Sequence, residues 1–293
     1  MEEEKYSYDK IKDIADYIQS RTSQRPKLGI ICGSGLGGLA DLLTDTQEMD
    51  YTSIPGFPVT TVKGHGGKLV FGKLETVECV CMKGRFHFYE GYPIWKCAAP
   101  VQVMKLLGVK GLIVTNAAGG INSAKLNLGD LMLITDHINL VGVTGNNPLR
   151  GANDERFGPR FPATNAVYSK DLQEVFRKAA DDQGLLSVVK EGTYLMASGP
   201  TYESPAELKW FKMIGADAVG MSTVPETVVA SYCGMVVLGI SLITNICIVD
   251  IESTDTPNHA EVLETANMRA KDLLNIVRLT VRWGQHLWNI EDK

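Results

Sequence analysis

The chain of 293 residues is 44% hydrophobic and 22% charged, with 29 glycines and 12 prolines; this balance excludes a disordered polyelectrolyte, a collagen-like repeat and a low-complexity segment. A formal net charge of −5 excludes a protein that binds nucleic acid mainly by neutralising phosphates, which needs a basic face. At about 150 residues per domain the length admits two domains or one large one, and a start of Met1 followed by three glutamates is opposite in charge to a signal or transit peptide, so a cytoplasmic protein is expected.

The first predicted helix covers 8–20. A polar turn and Pro26 lead into a buried strand at 28–32. Gly33-Ser34-Gly35-Leu36-Gly37-Gly38 follows and opens a helix over 36–43, which presents backbone N–H groups and a positive helix end to an oxyanion. Phosphate binding is one reading of this turn and a purely structural tight turn another. The spacing also satisfies G-x-G-x-x-G, a dinucleotide fingerprint that expects an acid closing the next strand about 20 residues on. Asp50 lies near that distance, but 44–49 is polar and lacks the apolar run of a buried strand.

Residues 68–74 and 77–82 read as an antiparallel pair. Beyond them Lys83 to Tyr92 spells KGRFHFYEGY, where strand alternation would place Arg85, His87 and Tyr89 on one face. An arginine beside a histidine suits a phosphate or carboxylate; a solvated strand face is the plain alternative. A helix at 94–107 and a short strand at 111–115 come next, the strand ending in the small residues Asn116-Ala117-Ala118-Gly119-Gly120. Ligands of open α/β sheets gather at such strand ends. After a strand at 131–138, the stretch 146–165 is polar and proline-bearing without a period, long for a connection and therefore suited to function or an interface.

A helix at 170–183 and a strand at 192–197 precede Ser204, Pro205 and Glu207, which have N-cap, N1 and N3 chemistry, so Glu203 lies just ahead of a helix N-terminus. An acid there also serves as an ordinary stabilising charge. Residues 218–220 lead to Met221-Ser222-Thr223, and 227–249 is a 23-residue run without charge. That run is long enough to cross a bilayer, yet Gly234, Gly239 and its polar residues break it into a buried helix and a buried strand ending at Thr244-Asn245. A last amphipathic helix opens at Asn258 and Glu261, with Val262, Leu263, Ala266, Ala270, Leu273, Leu274 and Val277 on its apolar face.

Buried strands interleaved with helices, and no Pro/Ser-rich linker, predict one α/β domain over 1–293 with a mixed sheet covered on both faces. The six cysteines show no C-x-x-C pair and the histidines no metal-ligand spacing, so buried thiols are expected, without a disulfide framework or structural metal.

Taken together, GSGLGG at Gly33, GRFHFYEGYP at Gly84, TNAAGG at Thr115, NPLRGANDERFGPRFP at Asn147, GPTYESPAE at Gly199, GADAVGMSTVPE at Gly215 and SLITN at Ser241 resemble the trimeric purine nucleoside phosphorylases over nearly the whole chain. The resemblance implies a single α/β domain with a mixed, partly barrel-like sheet flanked by helices, and a homotrimer. It implies reversible phosphorolysis of 6-oxopurine (2′-deoxy)ribonucleosides to the free base and (deoxy)ribose 1-phosphate, with phosphate as co-substrate and no metal or organic cofactor, nucleic acid or membrane. By position, Ser34, Arg85, His87, Asn116, Ala117 and Ser222 would bind phosphate, and Tyr89, Met221 and His259 the ribose. Glu203 and Asn245, with Thr244 beside it, would read the purine between walls of Tyr202 and Val219, and Phe161 would reach a neighbouring subunit's site. Asn245, Glu203 and His87 would carry the catalysis.

The sister family of methylthioadenosine phosphorylases has an aspartate in place of Asn245 and an apolar residue in place of His259, so both positions favour inosine and guanosine. A mismatch at a site built for hydrogen bonding costs on the order of 10⁴-fold, which makes adenosine a poor expected substrate. Tyr202 stands where the family often has phenylalanine, and Ile246 where vertebrate members carry lysine. Three other readings are a methylthioadenosine phosphorylase-like activity, a non-catalytic nucleoside-binding paralogue, and a nicotinamide-dependent oxidoreductase.

Overall fold

In the computed structural model, residues 4–61, 67–253 and 259–288 are described, the last run with side chains from Glu264 onward. In chain order the helices and strands are α1 (Tyr8–Arg21), β1 (Leu28–Ile31), α2 (Gly38–Asp41), β2 (Thr44–Asp50), β3 (Lys68–Leu74), β4 (Val77–Lys83), α3 (Ile94–Leu106), β5 (Gly111–Gly120), β6 (Leu131–Asn139), α4 (Leu140–Val143), α5 (Lys170–Asp182), β7 (Val189–Met196), α6 (Pro205–Met213), β8 (Ala218–Gly220), α7 (Val224–Tyr232), β9 (Val236–Ile246) and α8 (His259–Gly284). Among the described residues the strands form one sheet in the order β2-β3-β4-β1-β5-β8-β7-β6-β9, and β9 pairs back onto β5. That last pairing closes β5, β8, β7, β6 and β9 into a ring, and β1, β4, β3 and β2 extend from it as an open wing. The sheet is therefore mixed and partly barrel-like, with parallel pairs such as β1–β5 and β5–β9 beside antiparallel ones such as β3–β4.

Strand alternation divides the core between two faces. Ile31, Val80, Met82, Leu112 and Val114 point to the layer of α1, α3 and α7. Their neighbours Ile30, Cys79, Cys81, Ile113 and Leu238 point to the layer of α2, α5 and α8. Of the apolar positions expected on the last helix, Ala266, Leu273 and Val277 are buried against that second face and Ala270 and Leu274 are half-buried, and Ile276 and Val281 are buried there as well. Asn258 and the side chains of His259, Glu261, Val262 and Leu263 lie outside the described residues. Five of the six cysteines are buried and all six are free thiols. Residues 227–249 form the end of α7 and then β9, and among the described residues no helix is long and apolar enough to cross a membrane.

Four expectations need correction. Residues 44–50 are a strand after all, polar because it is the outer edge: only Met49 is buried, and cross-strand contacts such as Lys68–Glu48 at 2.6 Å hold it against β3. Charged edges of this kind also discourage pairing with other chains. Its position removes the dinucleotide reading on different grounds, since β1 is flanked by β4 and β5 and Asp50 sits at the far edge opposite Lys68. The helix expected over 36–43 shrinks to Gly38–Asp41, because Gly35 turns at φ 75° and the chain is spent on a loop.

The third correction concerns KGRFHFYEGY. Strand β4 stops at Lys83, Gly84 turns at φ 119°, and Phe88–Glu90 winds into a 3-10 turn because the Glu90 carboxylate accepts from the His87 N–H at 2.8 Å. The strand at 111–115 continues to Gly120, its small residues pairing with β9 through a bulge at Ala118/Gly119.

Candidate active site

Segments at or just beyond the carboxyl halves of six strands, β1, β4, β5, β7, β8 and β9, converge on a cavity of about 360 Å³. The first follows β1. The Gly33 N–H donates to the Thr115 hydroxyl at 2.9 Å, which donates to the Ile31 carbonyl at 3.1 Å. A Cβ on Gly33 would stand 2.7 Å from the Asn116 Cα, so only glycine lets this turn lie against β5 and bring Ser34 to the cavity wall.

The second segment follows β4 and supplies Arg85 and His87, both buried. Arg85 Nη1 donates to Ser222 Oγ at 3.0 Å, and its Nε lies 2.8 Å from Glu226 Oε1, the two side chains being 3% and 4% exposed. Arg85 Nε and Nη2 are both buried without an aligned hydrogen-bond partner, so the contact to Glu226 is an ion pair rather than a hydrogen bond. His87 Nδ1 lies 3.2 Å from Glu90 Oε1, and its ring stacks on Tyr89 with centroids 4.6 Å apart. Glu90 also accepts from the Thr61 N–H at 2.8 Å and the Thr61 hydroxyl at 2.6 Å. Burial works to raise its carboxyl, but hydrogen bonds from His87 and Thr61 prevail and hold it at about 2.

Strand β5 itself contributes Asn116 and Ala117. The Asn116 amide donates to Thr223 Oγ1 at 2.8 Å, which ties β5 to the turn after β8. That turn carries Met221, Ser222 and Thr223, and Thr223 adopts φ 76°, a conformation costly for a β-branched residue. Its hydroxyl lies 3.2 Å from Ser222 Oγ, so the strained turn is held by the same side chains that face Arg85. Strain retained at a ligand-facing turn is typical of functional sites.

The opposite end of the cavity is formed by Tyr202, Glu203, Val219, Thr244 and Asn245. Glu203 lies just ahead of α6, whose start is fixed by a reciprocal capping box: Ser204 Oγ accepts from Glu207 N at 3.3 Å, and Glu207 Oε2 from Ser204 N at 2.7 Å. Burial raises the Glu203 carboxyl above its ordinary range, and the charge of Glu207 adds to this. Asn245 closes β9 opposite Gly119, where a Cβ would stand 2.6 Å from Cys247 Sγ and 3.3 Å from the Asn245 amide. The buried Thr244 hydroxyl is 3.4 Å from both Ala118 O and Asn245 Oδ1. A second cavity of about 220 Å³ adjoins this end and shares Tyr202, Glu203, Asn245 and Cys247 with the first.

Ser34, Arg85, His87, Tyr89, Asn116, Ala117, Tyr202, Glu203, Val219, Met221, Ser222, Thr244 and Asn245 thus line one cavity. Phe161 stands apart at 85% exposure, with the Arg160 guanidinium 5.0 Å from its ring, and the His259 side chain is outside the described residues. Sequence reasoning missed Glu226 and Glu90, and named Thr223 only as part of the Met221-Ser222-Thr223 strand end. For Glu226 a signal existed: it is the last charge before the 23-residue uncharged run, and a charge inside a buried segment needs a partner.

Comparison with known proteins agrees with this geometry. Residues 27–282 match the model of the phosphorylase superfamily. The chain is 52% identical over 274 residues to the purine nucleoside phosphorylase of Bos taurus, covering 94% of each. Among solved structures, Schistosoma mansoni purine nucleoside phosphorylase in complex with inosine aligns with a TM-score of 0.91 at 44% identity, covering 98% of both chains. The same enzyme in complex with adenosine aligns with a TM-score of 0.90 at 47% identity, covering 94% of this chain and 97% of the other. The chain belongs to the phosphorylase superfamily and, within it, to the purine nucleoside phosphorylases.

Proposed function

We propose that this one cavity performs reversible phosphorolysis of 6-oxopurine nucleosides, with phosphate at the Arg85 end and the base at the Glu203–Asn245 end. The observation that carries the reading is the polarity of the cavity: a buried guanidinium, an imidazole and hydroxyl groups at one end, and an amide and a carboxyl at the other, within one cavity of about 360 Å³. Cleavage of the glycosidic bond makes C1′ oxocarbenium-like while negative charge accumulates on the purine, so a catalyst must set an anion on one side and hydrogen-bond the departing base on the other.

Arg85, Ser34, Ser222, His87 and the Asn116–Ala117 backbone orient phosphate, which replaces a bimolecular encounter with a positioned pair. Tyr89, Met221 and His259 contact the ribose. The Asn245 carboxamide offers a donor and an acceptor together, serving O6 and a protonated N7 as the base leaves. Glu203 accepts from N1–H and an exocyclic amine, and Tyr202 and Val219 wall the ring. Phosphate is the second substrate, with no further cofactor, and the reaction needs no covalent enzyme intermediate. The assembly is a homotrimer of single-domain chains in the cytoplasm, with Phe161 reaching a neighbour's site; a large aromatic left 85% exposed on one chain supports that role.

Asn245 directs selectivity toward inosine and guanosine. Release of hypoxanthine from inosine, with and without phosphate and beside adenosine and methylthioadenosine, tests the proposal. Phosphate-dependent turnover of inosine is expected, with adenosine and methylthioadenosine far slower. Binding of guanine without phosphate-dependent turnover would instead mark a non-catalytic paralogue.

A further inference from the structure

Glu226 carries the only charge on α7, and its side chain is 4% exposed. Removing two charges from water costs several kcal/mol per ion, and a buried pair recovers this only in favourable geometry. Apolar packing would hold α7 against the sheet at least as well. What the pair does, and apolar packing would not, is fix the guanidinium of Arg85. Glu226 Oε1 lies 2.8 Å from Nε as an ion pair and Ser222 accepts from Nη1 at 3.0 Å, while Nε and Nη2 are both buried without an aligned hydrogen-bond partner. The guanidinium is thus fixed on its Glu226 and Ser222 sides, and Nη2, which touches neither, is the nitrogen most open to a ligand. The pair also balances the charge. Arg85 meets an incoming anion with much of its positive charge already neutralised.

We propose that Glu226 is a positioning residue and counter-charge for the phosphate site: its ion pair with Nε fixes the Arg85 guanidinium so that the Nη2 N–H groups are left for phosphate, and its negative charge sets how tightly phosphate is held. The inference rests on the reading of Arg85 as a phosphate ligand. Two substitutions separate the two effects. Glu226→Gln keeps an oxygen at the same reach but removes the charge, so Arg85 is unbalanced and phosphate binds more tightly. Glu226→Asp keeps the charge but is one methylene shorter, so Arg85 is drawn back from the anion and phosphate binds more weakly.

Steady-state kinetics on the intact protein, with phosphate and inosine varied separately, are expected to show a phosphate KM lowered on the order of tenfold in Glu226→Gln and raised on the order of tenfold in Glu226→Asp. The inosine KM should stay within about twofold in both. A structural role alone would not move the phosphate KM in opposite directions. An unmoved phosphate KM, a shift of the same sign in both variants, or an inosine KM that moves in step overturns the proposal. If Glu226→Gln does not fold, because a buried arginine is left without its partner, an unchanged phosphate KM in Glu226→Asp is enough to overturn it. Arg85→Ala completes the set. If it leaves the phosphate KM unchanged, the assignment of Arg85 falls and the inference with it; if it raises that KM while the Glu226 variants do not, the inference alone falls.

Discussion

At the proposed phosphate end of the cavity the buried polar groups are already partnered inside the fold, Arg85 with Glu226 and His87 with Glu90. At the base end Glu203 is pushed up by burial, the wall residue Tyr202 is 42% exposed, and a second cavity opens alongside. The first end is assembled by folding and the second is completed by its substrate. Groups that balance each other inside the fold couple function to stability. Groups that wait for a ligand couple it to selectivity instead, and can change with little effect on the rest of the molecule.

The largest expected effect tests the first half of that contrast. Arg85→Ala removes the anion's charged donor and leaves Glu226 buried and unpaired. kcat/KM for phosphate is expected to fall by about 10²–10³, and denaturant melts should show a loss of about 3–5 kcal/mol. A variant that loses phosphate affinity but keeps full stability would mean that the pair is not coupled to the fold. On the base end, Asn245→Asp exchanges a donor for an acceptor facing the 6-substituent. The inosine-to-adenosine ratio of kcat/KM should fall by at least about 10², with a melting temperature close to that of the parent. Unchanged selectivity would sink the assignment of Asn245. A third effect is smaller. Phe161→Ala should raise the nucleoside KM by about tenfold, on the order of one lost aromatic contact, and sedimentation should give three chains per particle; a mass near one chain refutes the trimer.

The same contrast explains what could be read in advance. GSGLGG and TNAAGG stand at strand ends where backbones approach too closely for larger residues, as the 2.7 Å clearance at Gly33 shows, so these small-residue turns were legible as candidate site elements beside a structural reading. Glu203 and Asn245 could be placed from the cap of α6 and the end of β9, while their proposed part as base readers came only from the family resemblance. Glu90 was not legible, and Glu226 only through its place before the uncharged run, which does not name its partner. A lone acid usually reads as a solvated charge, and their partners lie on other segments or depend on a turn that strand alternation does not foresee. Edge strand β2 escaped because solvent on its outer side removes the apolar signal. The closure of β5 onto β9 escaped because it joins segments more than 100 residues apart, and no local pattern encodes it.

The smallest effect appears only at the acid margin, and it compares one carboxyl from each end. Glu90 is held at about 2, below its ordinary 4.5, so the stability it contributes is present above that ordinary value and is lost only as pH falls toward 2. Glu203 is raised. Its contribution is present below 4.5 and is lost as pH rises through its folded value, which means that the ionised, purine-reading form is the one the fold disfavours. Reading N1–H requires that ionised form, so kcat/KM for inosine at saturating phosphate should fall along an acid limb with its midpoint above 4.5. The phosphate KM, once corrected for the ionisation of phosphate itself, should show no carboxyl limb in that range. Glu203→Gln should abolish the limb, and it should raise the melting temperature slightly at pH 7 but not near pH 4, where the parent carboxyl is already neutral. A limb centred below 4.5, or one that persists in Glu203→Gln, would assign the base end's titration to another group and remove the contrast between the two ends.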